Sequence, residues 1–264
     1  MKILVLYTRL TGYWLSCMQH DHYKNKNQYL VIRKTPSKEA PFNIKSEDGI
    51  AIVNGDQLSV QQMQKLADDF NPDLVYVSGW ADQRFLKLAL HYRNNKIAVI
   101  TGMDNQWLGS IRQYLASFIS KWMVLRYFTH IWVPGKPQYF FARKLGFLPQ
   151  QILTGLYCAD EKIFENIQQT QLNKQLIFVG RLVAHKGLKI FFNVLQELIA
   201  EQGLHLKILF VGSGPLENEI PQHQNIKHIP FVNPEELPVL LQNAGYFILP
   251  SLYEAWGVVV HEAV

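Results

Sequence analysis

Short runs of four to six apolar residues alternate with longer stretches in which apolar residues recur every three or four positions, and this rhythm starts at Ile3 and restarts at Leu176. The short runs read as buried parallel strands: 3–7, 29–32, 74–78, 97–101 and 131–134 in the first part, then 176–179, 206–211, 226–231 and 246–249. The periodic stretches read as helices over 57–70, 82–93, 107–127, 138–145, 187–202, 216–220 (a helix start) and 235–243, with a last helix expected to start near Gly257. Residues 36–49 and 8–13 read as loops, the latter containing Gly12. Asn71-Pro72-Asp73 stops one helix and Gly146 another.

Strands that alternate with helices imply parallel sheets covered on both faces. The expected fold class is therefore α/β, with two Rossmann-like open parallel-sheet domains. The division expected is 1–160 for the first domain and 174–264 for the second, with the boundary inside 158–173 and a glutamine-rich linker over 166–174. In such sheets ligands bind at the carboxyl ends of strands. In the first domain those are residues 8–13, Gly79-Trp80 and 102–107.

The stretch from Leu249 to Val264 carries the most specific chemistry. Glu254 and Glu262 stand eight positions apart and bracket Gly257. A helix starting there would offer unpaired N–H groups and a positive dipole end to an anion, with Glu254 in the loop before it and Glu262 inside it. Two acceptor carboxylates around an anion site suit a ligand with hydroxyls at both ends and phosphate between them, which describes a nucleotide sugar. Arg181 and Lys186 follow the strand 176–179, where a fork of donors and a compact charge could hold phosphate. Gly212-Ser213-Gly214-Pro215 follows the next strand and lacks the spacing of a dinucleotide fingerprint.

Taken with Phe178-Val179-Gly180-Arg181-Leu182, His185-Lys186-Gly187 and Val211-Gly212-Ser213-Gly214-Pro215-Leu216, the last stretch resembles the donor-binding half of the family 4 glycosyltransferases. That resemblance implies the two-domain architecture called GT-B, with an acceptor-binding first domain and a donor-binding second domain facing a cleft. It also implies sugar transfer from a nucleotide diphosphate, UDP- or GDP-linked, to a glycan or lipid-linked acceptor with retention of configuration, in surface polysaccharide synthesis. Glu254 would contact the donor sugar, Glu262 the ribose, and Arg181 and Lys186 the diphosphate. Gly212, Gly214, Val232, Trp256, Gly257 and Val258 would complete the donor site. On the acceptor side the resemblance is thinner. Gly12 stands alone where the family has paired glycines, and Asp104, the ionisable residue nearest the end of strand 97–101, replaces the family's histidine. Asp104 is either an acceptor-positioning, catalytic group or the cap of the next helix. Family members continue beyond the second glutamate, so a C-terminally truncated second domain is expected, and a non-catalytic nucleotide-sugar-binding or assembly partner, or an inactive fragment, is the alternative.

Composition adds less. The 264 residues carry a net charge of +5, with 48% hydrophobic and 18% charged side chains, the balance of a globular chain with a bias toward anionic partners. From Asn105 through Ala159 there is no aspartate or glutamate, while Arg112, Lys121, Arg126, Lys136, Arg143 and Lys144 are present. Two readings stay open: a solvated basic face around a packed aromatic core, or a surface meeting anionic lipid. Cys17 and Cys158, without metal-ligand spacing, argue against a disulfide framework and a zinc site, and point to a reducing cytosolic setting, peripheral to the inner membrane face if the lipid reading holds. The apolar run at the N-terminus is too short for a signal peptide, and no stretch has the uninterrupted apolar length of a membrane span. No D-x-D triplet, Walker loop, G-x-S-x-G or H-E-x-x-H occurs, so no metal or further cofactor is expected. Nucleic acid is not an expected partner.

Overall fold

The computed structural model describes residues 1–35, 45–164, 173–201 and 203–264. The described residues fall into two compact units that part between Cys158 and Ala159. The first holds a parallel sheet of seven strands: β1 (Lys2–Tyr7), β2 (Gln28–Arg33), β3 (Ile50–Asn54), β4 (Leu74–Val77), β5 (Ala98–Gly102), β6 (His130–Val133) and β7 (Ile152–Thr154). Their spatial order is β3-β2-β1-β4-β5-β6-β7. The connecting helices are α1 (Gly12–Asn25), α2 (Val60–Phe70), α3 (Gln83–Asn94), α4 (Ile111–Met123) and α5 (Lys136–Lys144).

The period-two alternation of each strand builds a separate core on either face of this sheet. Leu4 and Leu6 of β1 join Met63, Phe85, Leu88 and Phe141 from α2, α3 and α5 on one face. Ile3, Val5 and Tyr7 join Trp14 and Met18 of α1 on the other. Local chemistry sets the helix starts. Ser59 and Gln62 form a capping box at α2, and the Asp82 carboxylate caps α3 by accepting from Arg84 N at 2.8 Å.

The second unit has a four-stranded parallel sheet of β8 (Gln175–Val179), β9 (Lys207–Val211), β10 (Ile226–Ile229) and β11 (Tyr246–Phe247), in the order β10-β9-β8-β11. With it go α6 (Glu161–Phe164), α7 (Leu188–Glu201), α8 (Leu237–Gln242) and α9 (Val258–Ala263). Leu188, Phe192 and Leu195 of α7 pack with Phe178 and Phe210 on one face. On the other face Leu237 and Leu241 of α8, with Val259 and Ala263 of α9, pack with Ile177, Val179 and Val211.

Several details depart from the sequence reading. Gly12 is the first residue of α1 rather than part of a loop, and α1 and β3 are elements the pattern did not reveal. Residues 150–160, which the pattern left without an element, contain β7, which extends the first sheet beside β6. The helix expected from Leu216 is a single 3-10 turn, Glu217–Glu219, ended by Pro221 soon after. Most of the 36–49 loop and of the 166–174 linker lies outside the described residues.

Candidate functional site

Every strand of the second unit points the same way, so the loops after β8, β9, β10 and β11 leave the sheet at one edge. From β8 the chain moves outward through β9 to β10, then returns to the opposite side of β8 as β11. The strand order thus reverses between β8 and β11, and in open parallel sheets the crevice beyond the strand ends at such a reversal is where ligands bind. Those loops carry Arg181 and Lys186 on one side and Glu254 on the other.

Across this point Lys186 Nζ donates to Glu254 Oε2 at 2.5 Å. Lys186 is buried, with 8% of its surface exposed, and Glu254 is half-buried. A charge pair this sheltered from water keeps much of its attraction, because the local dielectric is lower than in solvent. Ser251 Oγ donates to the same carboxylate oxygen at 2.9 Å. The two loops are also tied through their backbones, since the His185 carbonyl accepts from Leu252 N at 2.9 Å and Tyr253 N at 3.3 Å. Gly187 makes this approach possible. It lies in the left-handed region at φ 71°, and a Cβ there would stand 1.9 Å from the Pro250 carbonyl oxygen.

The loop after β9 is pressed against the loop after β8 in the same manner. Gly212 has φ 128°, and a Cβ on it would stand 2.1 Å from the Gly180 carbonyl oxygen. Leu182 N donates to the Ser213 carbonyl at 3.0 Å, and Leu216 N returns a bond to the Leu182 carbonyl at 3.1 Å. Gly214 N donates to Glu217 Oε1 at 2.6 Å, so this amide is already occupied by a carboxylate of its own turn. Arg181 is exposed on the same edge, and Val232 lies half-buried beyond β10, packed with the β8 and β9 side chains.

Gly257, left-handed at φ 76°, precedes α9, and Val258 is its first residue. A Cβ on Gly257 would meet Glu254 Cγ at 3.1 Å, which places the glutamate against the turn that starts the helix. Trp256 stacks edge-on with His261 at 5.6 Å, and its indole N–H is buried without a hydrogen-bond partner among the described residues. Burial pushes the Glu262 carboxyl up to about 7, because the charged form loses hydration. Ser251, Glu217 and the Pro250 carbonyl are parts of this arrangement that the sequence reading did not single out.

In the first unit the strand order reverses between β1 and β4. The loops there are joined by Thr8 N, which donates to Ser78 Oγ at 2.9 Å. Asp104 follows β5, one strand further on. Its carboxyl is raised above the usual range by burial, and its backbone carbonyl accepts from Gln138 Nε2 at 3.1 Å. The structure overturns the capping alternative for Asp104, since Ser110 caps α4 by accepting from Gln113 N. Gly12 stands at the start of α1, after the β1 loop. Tyr7, Tyr76 and Trp14 are packed together on the sheet face beneath, with Tyr7 and Tyr76 well above the ordinary phenol range through burial.

Residues 160–264 match the family model described as Glycosyl transferases group 1. All the residues placed around the β8–β11 crevice fall inside that match. A curated relative, the uncharacterized glycosyltransferase MJ1607 of Methanocaldococcus jannaschii, is 28% identical over 98 residues, 34% of this chain and 25% of the relative. The matched part thus spans about a quarter of that relative's length. Among solved structures, Anabaena Alr3699/HepE in complex with UDP and glucose superposes with a TM-score of 0.66 at 15% identity, covering 100% of this chain and 78% of that one. An E. coli structure described as trehalose-6-phosphate bound with UDP-2-fluoro glucose gives 0.67 at 10% identity, covering 100% and 81%. At these identities the likeness is one of fold. It is the fold of two parallel α/β sheets described above.

Proposed function

We propose that the protein is a glycosyltransferase whose second unit binds a nucleoside diphosphate sugar at the β8–β11 crevice. The observation that carries this reading is the Lys186–Glu254 pair at the reversal of strand order, inside the group 1 match. Lys186 and Arg181 would meet the diphosphate, and the Lys186–Glu254 contact would open as phosphate replaces the carboxylate on Nζ. Glu254, freed from the lysine and still held by Ser251, would then accept from sugar hydroxyls. Glu262 would accept from the ribose. The Trp256 N–H, buried without a hydrogen-bond partner among the described residues, would be a further donor to the ligand.

Transfer requires stabilising negative charge that develops on the leaving diphosphate, and fixed cations in a sheltered site provide this. In the proposed reading no group of the protein becomes covalently attached to the sugar. The departing phosphate helps to deprotonate the acceptor on the same face, so configuration is retained, as the resemblance to family 4 implies. The acceptor class is a glycan or lipid-linked glycan, with Gly12 and Asp104 on the acceptor side. The UDP ligands of the two solved neighbours make UDP-sugars the first donors to test.

Calorimetric titration with UDP, GDP and UDP-glucose tests the reading. One nucleotide class should bind, with affinity falling about tenfold or more in Lys186→Ala and in Arg181→Ala, in line with the loss of one charge-assisted hydrogen bond. Absence of binding by a chain that melts cooperatively would overturn the assignment of the donor site.

A further inference from the structure

Helix α4 is built with its apolar face outward. Ile111, Phe118 and Trp122 are 79%, 76% and 79% exposed, and Tyr114, Leu115, Ile119 and Met123 on the same face are exposed as well. These positions recur at three- and four-residue steps, which line one side of a helix. The inward stripe is Gln113, Ser117 and Ser120, leading to buried Val124. Its polar groups are used locally: Gln113 Nε2 donates to the Gln106 carbonyl at 2.8 Å, and Ser120 Oγ donates to the Ser117 carbonyl at 2.8 Å. Of the two readings left open for 105–159, a packed aromatic core holds for buried Phe128, Phe141 and Phe147 but not for the aromatic side chains of α4. An amphipathic pattern fixes which residues share a face, but not which way that face turns.

We infer that this face docks on an anionic lipid surface. Thirteen helical residues give an apolar strip about 20 Å long at 1.5 Å per residue, well above the scattered apolar exposure ordinary for a soluble surface. The charge around it selects the lipid. Exposed Arg112 lies on α4 itself, exposed Arg126 follows its end, exposed Lys136, Arg143 and Lys144 lie on α5, and no acidic residue occurs in the sequence between Asn105 and Ala159. Lys144 Nζ lies 4.8 Å from the centre of the Trp107 ring, which in turn meets Tyr114 edge-on, so cation and apolar strip form one continuous surface. Aromatic rings with polar edges settle at the headgroup boundary, while the aliphatic and phenyl groups enter the acyl region. No helix among the described residues is long and apolar enough to cross a membrane, so the binding mode is flat on the surface. The inference goes beyond sugar transfer and holds whether or not the β8–β11 crevice binds a nucleotide.

Vesicle co-sedimentation of the full chain tests it, comparing phosphatidylcholine with phosphatidylcholine mixed with phosphatidylglycerol. Binding should require the anionic lipid, weaken with added salt, and fall about tenfold or more in a Phe118→Ser, Trp122→Ser double variant. Both side chains are exposed, so that variant should melt at the wild-type temperature; Arg112→Glu with Arg126→Glu provides a second variant that leaves the apolar strip intact. Three outcomes would overturn the inference. They are no binding to anionic vesicles, equal binding by the double variant, or a solution dimer broken by the double variant without any vesicle binding.

Discussion

Lys186 Nζ and Glu254 Oε2 lie 2.5 Å apart although 68 residues separate them in the chain. The contact ties the loop after β8 to the loop after β11 on either side of the point where strand order reverses. Replacing either partner leaves the other partly buried without its opposite charge. Lys186→Met and Glu254→Gln should therefore each destabilise the chain by about 1–3 kcal/mol, the range for a buried polar group left without its partner. The double variant should cost less than the sum, since it leaves no unmatched charge. Urea denaturation of the three variants measures this coupling, and strict additivity would mean that the two charges do not interact in solution.

Gly187→Ala should be more disruptive than its small volume suggests. The added Cβ would meet backbone, the Pro250 carbonyl oxygen at 1.9 Å, and the φ of 71° is one that an alanine adopts only with strain. Relief would require the loops after β8 and β11 to separate, and that motion would pull Glu254 from Lys186. A melting temperature several degrees below wild type is expected, together with weakened nucleotide binding. Gly203→Ala is the comparison. Gly203 is also left-handed, at φ 74°, but a Cβ there meets only His205 ring atoms at 3.9 and 4.0 Å, so it should lose stability while keeping nucleotide affinity.

Cys17 and Cys158 also meet, with Sγ atoms 3.5 Å apart across 141 residues of sequence. Their separation along the chain gave no hint of this, because it is α1 and the segment after β7 that bring them together. Oxidised glutathione should convert the pair to a disulfide by thiol–disulfide exchange, releasing two molecules of glutathione per bond formed. Intact-mass measurement would register the loss of two hydrogens, reversed by dithiothreitol and absent in Cys17→Ser. Stable glutathionylation of both thiols without a cross-link would show that they do not approach closely enough to pair.

What was legible in the sequence follows from the reach of each signal. Strands such as β4 and β8 are apolar runs buried on both faces, and that signal is local. In α1 the apolar Trp14 and Met18 are followed by the polar run Gln19-His20-Asp21-His22, so no clear stripe marked it. The five residues of β3 include the apolar run Ile50-Ala51-Ile52-Val53, a local strand signal obscured by the loop read over 36–49, and they pair with β2. The roles expected for Arg181, Lys186, Glu254 and Glu262 rested on a motif. The Lys186–Glu254 contact itself depends on strand order, which is a tertiary property. The outward turn of α4 was illegible for the same reason, since direction relative to the sheet is set by the neighbours of a helix and not by its own period.

Glu262 supplies a pH dependence with two opposite signs. Its carboxyl titrates near 7 in the folded chain, against 4.5 for the ordinary group, because burial disfavours the charged form. The folded state therefore binds more protons than the unfolded state between those values, and stability should fall as pH rises from about 4.5 to about 7, then level off. Ligand binding should move the other way if Glu262 receives ribose hydroxyls as a carboxylate. UDP-glucose is the suitable probe, because its diphosphate diester does not titrate in this range. Its affinity should rise by up to about tenfold between pH 6 and pH 8, as the ionised fraction grows. In Glu262→Gln both slopes should flatten, with a neutral amide that no longer titrates. A wild-type affinity independent of pH across this window would remove Glu262 from the ribose contact, even if the stability slope remained.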